Sequence, residues 1–168
     1  MTQGTSYIYY VVATDGTNTT ESNYVEVNTS DAEGPSATPL VLTTSYETTS
    51  SIQLDWAKAT DNVSAQVDLQ YLVYYSTTNN IDTVANIEAN GMAFGTYSTD
   101  IGTMTVTDLN DGTLYYFNVI VMDEAGNKTA YTMTSDITMP LAPPILSSSD
   151  TTATGTTYPT RTCLEDTD

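Results

Sequence analysis

The sequence predicts an all-β chain folded as an antiparallel β-sandwich, and three observations predict it. From Leu114 onward, Tyr115, Phe117, Val119 and Val121 alternate with other residues at the period of two that places them on one sheet face. The stretch Leu109-Asn110-Asp111-Gly112-Thr113 precedes them as a tight corner. A tyrosine just past such a corner buries its ring and bonds its hydroxyl back to the corner backbone, the tyrosine corner of sandwich domains; here the expected partner of Tyr115 is a corner carbonyl. The pattern also occurs twice. Sliding the sequence by 108 places Gly4, Thr5, Tyr7, Tyr9, Val11 and Asp15 on Gly112, Thr113, Tyr115, Phe117, Val119 and Asp123, which is an internal repeat.

The remaining elements follow in order. Residues 1–30 hold the corner, its strand and, after the turn-rich Asp15-Gly16-Thr17-Asn18, a partner strand at Tyr24, Val25 and Val27. They read as the closing hairpin of a truncated repeat. Met1 falls on Leu109 in the same slide, as expected if a reading frame opens inside a longer gene at an alternative Leu start codon. Ser30 to Thr38, with Glu33-Gly34-Pro35, is a polar boundary. Leu40-Val41-Leu42 is the first strand of the next unit, and in Ser51 to Trp56 the residues Ile52, Leu54 and Trp56 point inward. Leu69 to Ser76 is a strand with Tyr71, Val73 and Tyr75 on one face and Leu72 and Tyr74 on the other. That second face is apolar enough to lie under the next segment or to form an exposed aromatic surface. Asp82 is expected to cap a short helix from Thr83 to Ala89, ended by Gly91, with Val84, Ala85 and Ile87 covering the strand. Met92–Tyr97 and Thr103–Thr107 are strands, the latter with Met104 and Val106 or their neighbours facing in, and Lys128–Ile137 is the last strand. Residues 140–168 have the composition of a linker, or open another truncated domain.

The pattern Leu-x-x-Gly-Thr-x-Tyr-x-Phe-x-Val, closed by Asp123-Glu124-Ala125-Gly126-Asn127, resembles the E–F corner and F strand of fibronectin type III domains. Trp56, the only tryptophan, stands where the B strand of that family carries its core tryptophan. An immunoglobulin domain would instead have a cysteine pair and a tryptophan on the next strand. The resemblance implies a fibronectin type III-like, immunoglobulin-like sandwich over residues 36–139. Its structural residues are Trp56, Tyr71, Val73, Leu109, Gly112, Tyr115, Phe117 and Val119. It further implies a non-catalytic spacer or adhesion module of a larger bacterial protein, secreted or on the cell surface. The alternative is an accessory module of a secreted polysaccharide-degrading enzyme. The partners implied are neighbouring domains of the same polypeptide and an extracellular protein or glycan, with the chain itself a monomer and no cofactor.

Composition narrows the chemistry. The chain has 168 residues, 3 Lys and Arg against 21 Asp and Glu, no His, and a net charge of -18, which argues against nucleic acid and anionic membrane surfaces as partners. The acidic residues read as a solvated surface whose mutual repulsion salt screens. No apolar run reaches the length of a membrane span, and no basic-then-apolar leader opens the chain. Without His, triads and His-ligated metals are closed. Cys163 has no partner for a disulfide and no neighbouring base, so it reads as an incidental thiol. Asp123-Glu124 reads as turn chemistry rather than an acid–base pair. Asp61, Asp111, Asp123 and Asn127 recur at the ends of strands and offer oxygen donors suited to Ca²⁺, but turn residues without a metal are the expectation. The glycosylation patterns at Asn18, Asn28, Asn62 and Asn127 carry no weight in so Asn- and Thr-rich a chain. Of the 13 tyrosines, Tyr74, Tyr97 and Tyr116 are the candidates for a ligand-stacking surface.

Overall fold

The computed structural model describes residues 1–36 and 39–142; Cys163 and most of the expected linker lie outside the described residues. The chain begins with four short strands, β1 (Ser6–Tyr9), β2 (Val12–Thr14), β3 (Thr19–Glu21) and β4 (Val25–Asn28). β1 pairs with β4 and β2 with β3, both antiparallel, so the expected hairpin forms but each of its arms is broken once. Its faces are open. Tyr9 is 44% and Val11 69% exposed, and Ile8, Tyr10, Val12, Tyr24 and Val25 are exposed with them.

Among the described residues, eight strands, one α-helix and a 3-10 turn at Gln66–Asp68 follow: β5 (Leu42–Ser45), β6 (Ile52–Trp56), β7 (Gln70–Ser76), α1 (Val84–Asn90), β8 (Met92–Thr99), β9 (Thr103–Val106), β10 (Leu114–Met122), β11 (Lys128–Ala130) and β12 (Thr134–Ile137). One sheet has the order β5-β6-β9; the other runs β11-β10-β7-β8, with β12 also on β10. Alternation along β6 buries Ile52, Leu54 and Trp56 and leaves Gln53 and Asp55 only partly covered. These face Tyr71 and Val73 of β7 and Tyr115, Phe117, Val119 and Val121 of β10, all within one core with Leu42, Val106 and Leu109. Fully burying each such side chain contributes roughly 1.5–3 kcal/mol, which makes this interior the main source of stability. Met104 packs against the same core.

The other face of the larger sheet is also covered. Ile81, Ile87 and Ile120 are fully buried together, with Tyr74, Val84, Tyr97, Tyr116, Ala130 and Met133 packed around them. The apolar second face of β7 therefore lies under the segment that follows it, the first of the two alternatives read from the sequence. The helix that covers it starts one residue later than expected. Thr83 is its cap and accepts from the Asn86 N–H at 3.2 Å, while the carboxylate of Asp82 holds the Asn86 side chain at 2.7 Å. Ile87 and Val84 face the cluster but Ala85 is exposed, because the helical period turns it away.

Two strand assignments need correction. The first strand of the sandwich is Leu42–Ser45, not Leu40–Leu42: Val41 bridges in parallel to Thr132, and the Leu40 carbonyl accepts from the Thr132 N–H at 2.8 Å. The chain thus touches the larger sheet before it crosses to the smaller one. The last strand is split into β11 and β12, because Tyr131 turns inward between them. Its ring is 1% exposed and its hydroxyl donates to the Ala57 carbonyl at 2.6 Å, across the core.

Contact between the hairpin and the sandwich is slight. A Cβ placed on Gly4 would lie 2.4 Å from Val63 Cγ1, so the hairpin corner rests on that side chain, and Gln3 accepts from the Ala32 N–H at 2.8 Å. Deleting Met1 to Asp31 is accordingly expected to lower the stability of the remainder, measured in chelator, by less than about 1 kcal/mol, a shift under about 4–8 °C for a domain of this size. A larger fall would mean that the face of Tyr7, Tyr9 and Val11 packs on the sandwich.

Candidate functional site

Strand β10 runs between two poles of the sandwich. At its start stands the corner. Tyr115 is 4% exposed and its hydroxyl accepts from the Asn110 N–H at 3.0 Å. The bond is thus to a corner amide rather than to the carbonyl expected from the sequence. That carbonyl is taken by Thr138, whose hydroxyl donates to Asn110 O at 2.6 Å and accepts from the Thr113 N–H at 3.0 Å. Gly112 makes the turn at φ +56°, a conformation that a side chain would strain. Leu109 is buried beneath it.

The hairpin repeats this set bond for bond. Tyr7 Oη accepts from the Thr2 N–H at 2.6 Å, Thr29 Oγ1 donates to Thr2 O at 2.6 Å and accepts from the Thr5 N–H at 3.0 Å, and Gly4 has φ +60°. The break in the second arm corresponds too, since β3 and β4 mirror β11 and β12, whereas the break between β1 and β2 has no counterpart in the continuous β10. The internal repeat read from the sequence is therefore also a repeat of hydrogen bonds, with the strand pair of the sandwich one residue longer at its turn.

Beside the corner lies a cleft of about 430 Å³ between Tyr75, Asn90, Met92, Asp108 and Tyr115. Among the described residues, Asp108 is the carboxyl in its lining.

The opposite pole is acidic. Asp61 Oδ2 accepts from the N–H groups of Val63 and Ser64, both at 2.9 Å. Asp123, 1% exposed, accepts from the backbone N–H of Asn127 and from its side-chain amide, both at 2.8 Å. That amide also donates to Glu33 O at 3.2 Å, binding the incoming linker to the turn after β10. Asp31, Asp61 and Asp123 each offer an oxygen within 4.8 Å of the others. The sequence grouped Asp61, Asp123 and Asn127 with Asp111, but nine residues of strand separate Asp111 from Asp123, on the order of 30 Å. Asp111 instead accepts from the Leu141 N–H at the corner pole. Asp31 was missed; its only signal was a carboxylate just ahead of the Glu33-Gly34-Pro35 boundary.

The three tyrosines proposed as a stacking surface do come together, but as walls of the second apolar cluster. Tyr74, Tyr97 and Tyr116 are half-buried against Ile81, Ile87 and Ile120, and burial pushes the phenols of Tyr74 and Tyr97 up. Beside them Lys128 pairs with Glu88 at 2.5 Å. Asn118, also missed, is wholly buried in β10 and fixes this cluster, its amide donating to Ile81 O at 2.7 Å and its oxygen accepting from the Val119 N–H at 2.8 Å. A lone Asn between Phe117 and Val119 was the available signal. Trp56, Tyr71 and Val73 lie in the main core, with the Tyr71 hydroxyl accepting from the Ala59 N–H at 2.9 Å.

Residues 37–137 match the model of the fibronectin type III domain. Chitinase A1 of Niallia circulans is 36% identical over 137 residues, which cover 77% of this chain and 17% of that protein. The chain thus spans about a sixth of the length of this curated relative. Among solved structures, the FN1-FN3 domains of chicken CNTN1 align with a TM-score of 0.49 and 17% identity, over 83% of this chain and 44% of that one. The sixth fibronectin type III domain of human fibronectin type III domain containing protein 3 aligns with a TM-score of 0.49 and 16% identity, over 68% and 95%.

Proposed function

The chain belongs to the fibronectin type III family, and from that premise we propose that it is a non-catalytic spacer module of a larger bacterial extracellular protein, one that degrades a polysaccharide. The observation that carries this reading is the likeness to chitinase A1, which covers 77% of the chain and so extends beyond the residues 37–137 matched by a single module. The duplicated corner supports it, because a unit repeated bond for bond with a short polar linker between copies is what a serial spacer requires. Its place outside the cell, beside neighbouring domains of the same polypeptide, follows from the same reading.

Excision of residues 36–139 from the parent enzyme tests it. The expected result is a several-fold loss of activity on insoluble polymer with activity on soluble oligosaccharide unchanged, and recovery when an unrelated β-sandwich of similar length is inserted. A replacement that behaves like the excision would overturn the spacer role in favour of an adhesion surface carried by this sandwich. Retention of the isolated chain on the insoluble polymer would point the same way.

A further inference from the structure

The acidic group at the junction pole differs from the solvated carboxylates elsewhere on the chain. Asp61 Oδ1 and Asp31 Oδ2 are buried and have no hydrogen-bond partner among the described residues, while the other oxygen of each accepts backbone N–H bonds. Each is therefore a buried carboxylate oxygen without a donor, a costly state. Both belong to the trio that holds its oxygens within 4.8 Å around the buried Asp123, where like charges repel. The lysines that would answer this charge are engaged elsewhere, Lys58 with Asp100 at 2.7 Å and Lys128 with Glu88 at 2.5 Å.

We propose that Asp31, Asp61 and Asp123 bind one Ca²⁺ ion at the point where the linker enters the sandwich. Oxygens around Ca²⁺ at about 2.4 Å lie no more than about 4.8 Å apart, the spacing these three carboxylates already have. The donors are all hard carboxylate oxygens, the set that suits Ca²⁺ rather than Zn²⁺ or copper. Water completes the coordination shell. The ion joins three separate pieces of chain: Asp31 from the linker after β4, Asp61 from the loop after β6, and Asp123 from the turn after β10. Its effect is to fix the angle at which the preceding unit meets the sandwich, and this holds whatever the module as a whole presents or spaces.

Calorimetric titration of the full chain with CaCl₂ after chelator treatment tests the assignment, alongside thermal melts. One ion should bind per chain with a Kd no weaker than about 10⁻³ M, the range of extracellular modules. The melting temperature should rise by several degrees at a few millimolar CaCl₂, and EGTA should reverse the rise. Asp61→Asn and Asp31→Asn should each weaken binding at least tenfold, whereas Asp111→Asn, at the far pole, should leave it unchanged. Asp31 lies in the linker, so Asp31→Asn keeps the test valid if Asp61→Asn disturbs folding. Melts that coincide in CaCl₂ and in NaCl of matched ionic strength would overturn the proposal, as would an Asp31→Asn chain that binds as tightly as the unaltered one. Equal affinity for Mg²⁺ would overturn the assignment of the ion.

Discussion

Phe117→Ala is expected to lower the stability of the sandwich by about 3–5 kcal/mol, the largest loss of any single substitution considered. The ring is fully buried at the middle of β10, where it faces the smaller sheet and lies 6.2 Å from the ring of Tyr115. Its backbone is held on both sides, opposite Tyr75 of β7 and Thr134 of β12, so the strand cannot shift to fill the space. The cavity left by the ring adds to the lost transfer free energy. Tyr9 occupies the same position in the hairpin but is 44% exposed, and Tyr9→Ala should cost less than about 1 kcal/mol. Denaturant unfolding checks both: the midpoint should fall steeply for Phe117→Ala with an unchanged slope, and barely for Tyr9→Ala. Equal losses would show that the hairpin face is covered as the sandwich face is.

The contrast between these two positions also marks what the sequence alone made legible. β6 was legible because only one of its faces is buried, so Ile52, Leu54 and Trp56 alternate with polar neighbours. β10 was legible on its inner face because Tyr115, Phe117, Val119 and Val121 recur at the strand period, although both of its faces are buried. Its outer face was not, because Ile120 and Asn118 are covered by the segment after β7, Ile120 packing with Ile81 and Ile87 and Asn118 bonding Ile81 O, contacts made through space and not through any local pattern. The helix itself followed from its apolar residues and terminal Gly91. Its cap did not, since Asp82 and Thr83 are both good caps and only the geometry selects Thr83.

Non-local contacts account for the other differences. The break in the last strand depends on the hydroxyl of Tyr131 finding Ala57, far back in the chain. The early end of the ladder at Val41 depends on Thr132. The acidic trio unites three loops, of which the sequence offered two carboxylates and a wrong third. Turn chemistry correctly placed Asp61 and Asp123 at strand ends, but which end each occupied depended on the direction of β10. The duplicated corner was the reverse case. All its bonds run between residues of one hairpin, so the repeat of residues carried the repeat of structure with it.

Tyr115→Phe isolates one bond of that corner and is expected to cost about 1–3 kcal/mol. The substitution keeps the ring, its 5.9 Å contact with Tyr75 and the core around it, and removes only the hydroxyl. What is left without a partner is the Asn110 N–H, since the Asn110 carbonyl remains bonded to Thr138. The bond lies in a partly buried corner, where water replaces the lost acceptor poorly. Tyr7→Phe removes the equivalent bond, to the Thr2 N–H, at an exposed corner. There water takes the place of the hydroxyl, and no change in the unfolding midpoint of the sandwich is expected. Denaturant curves for the two variants, each against the unaltered chain, provide the check. An unmoved midpoint for Tyr115→Phe would mean that the corner bond contributes nothing to stability, whereas a fall for Tyr7→Phe as large as that for Tyr115→Phe would mean that the hairpin folds as one unit with the sandwich.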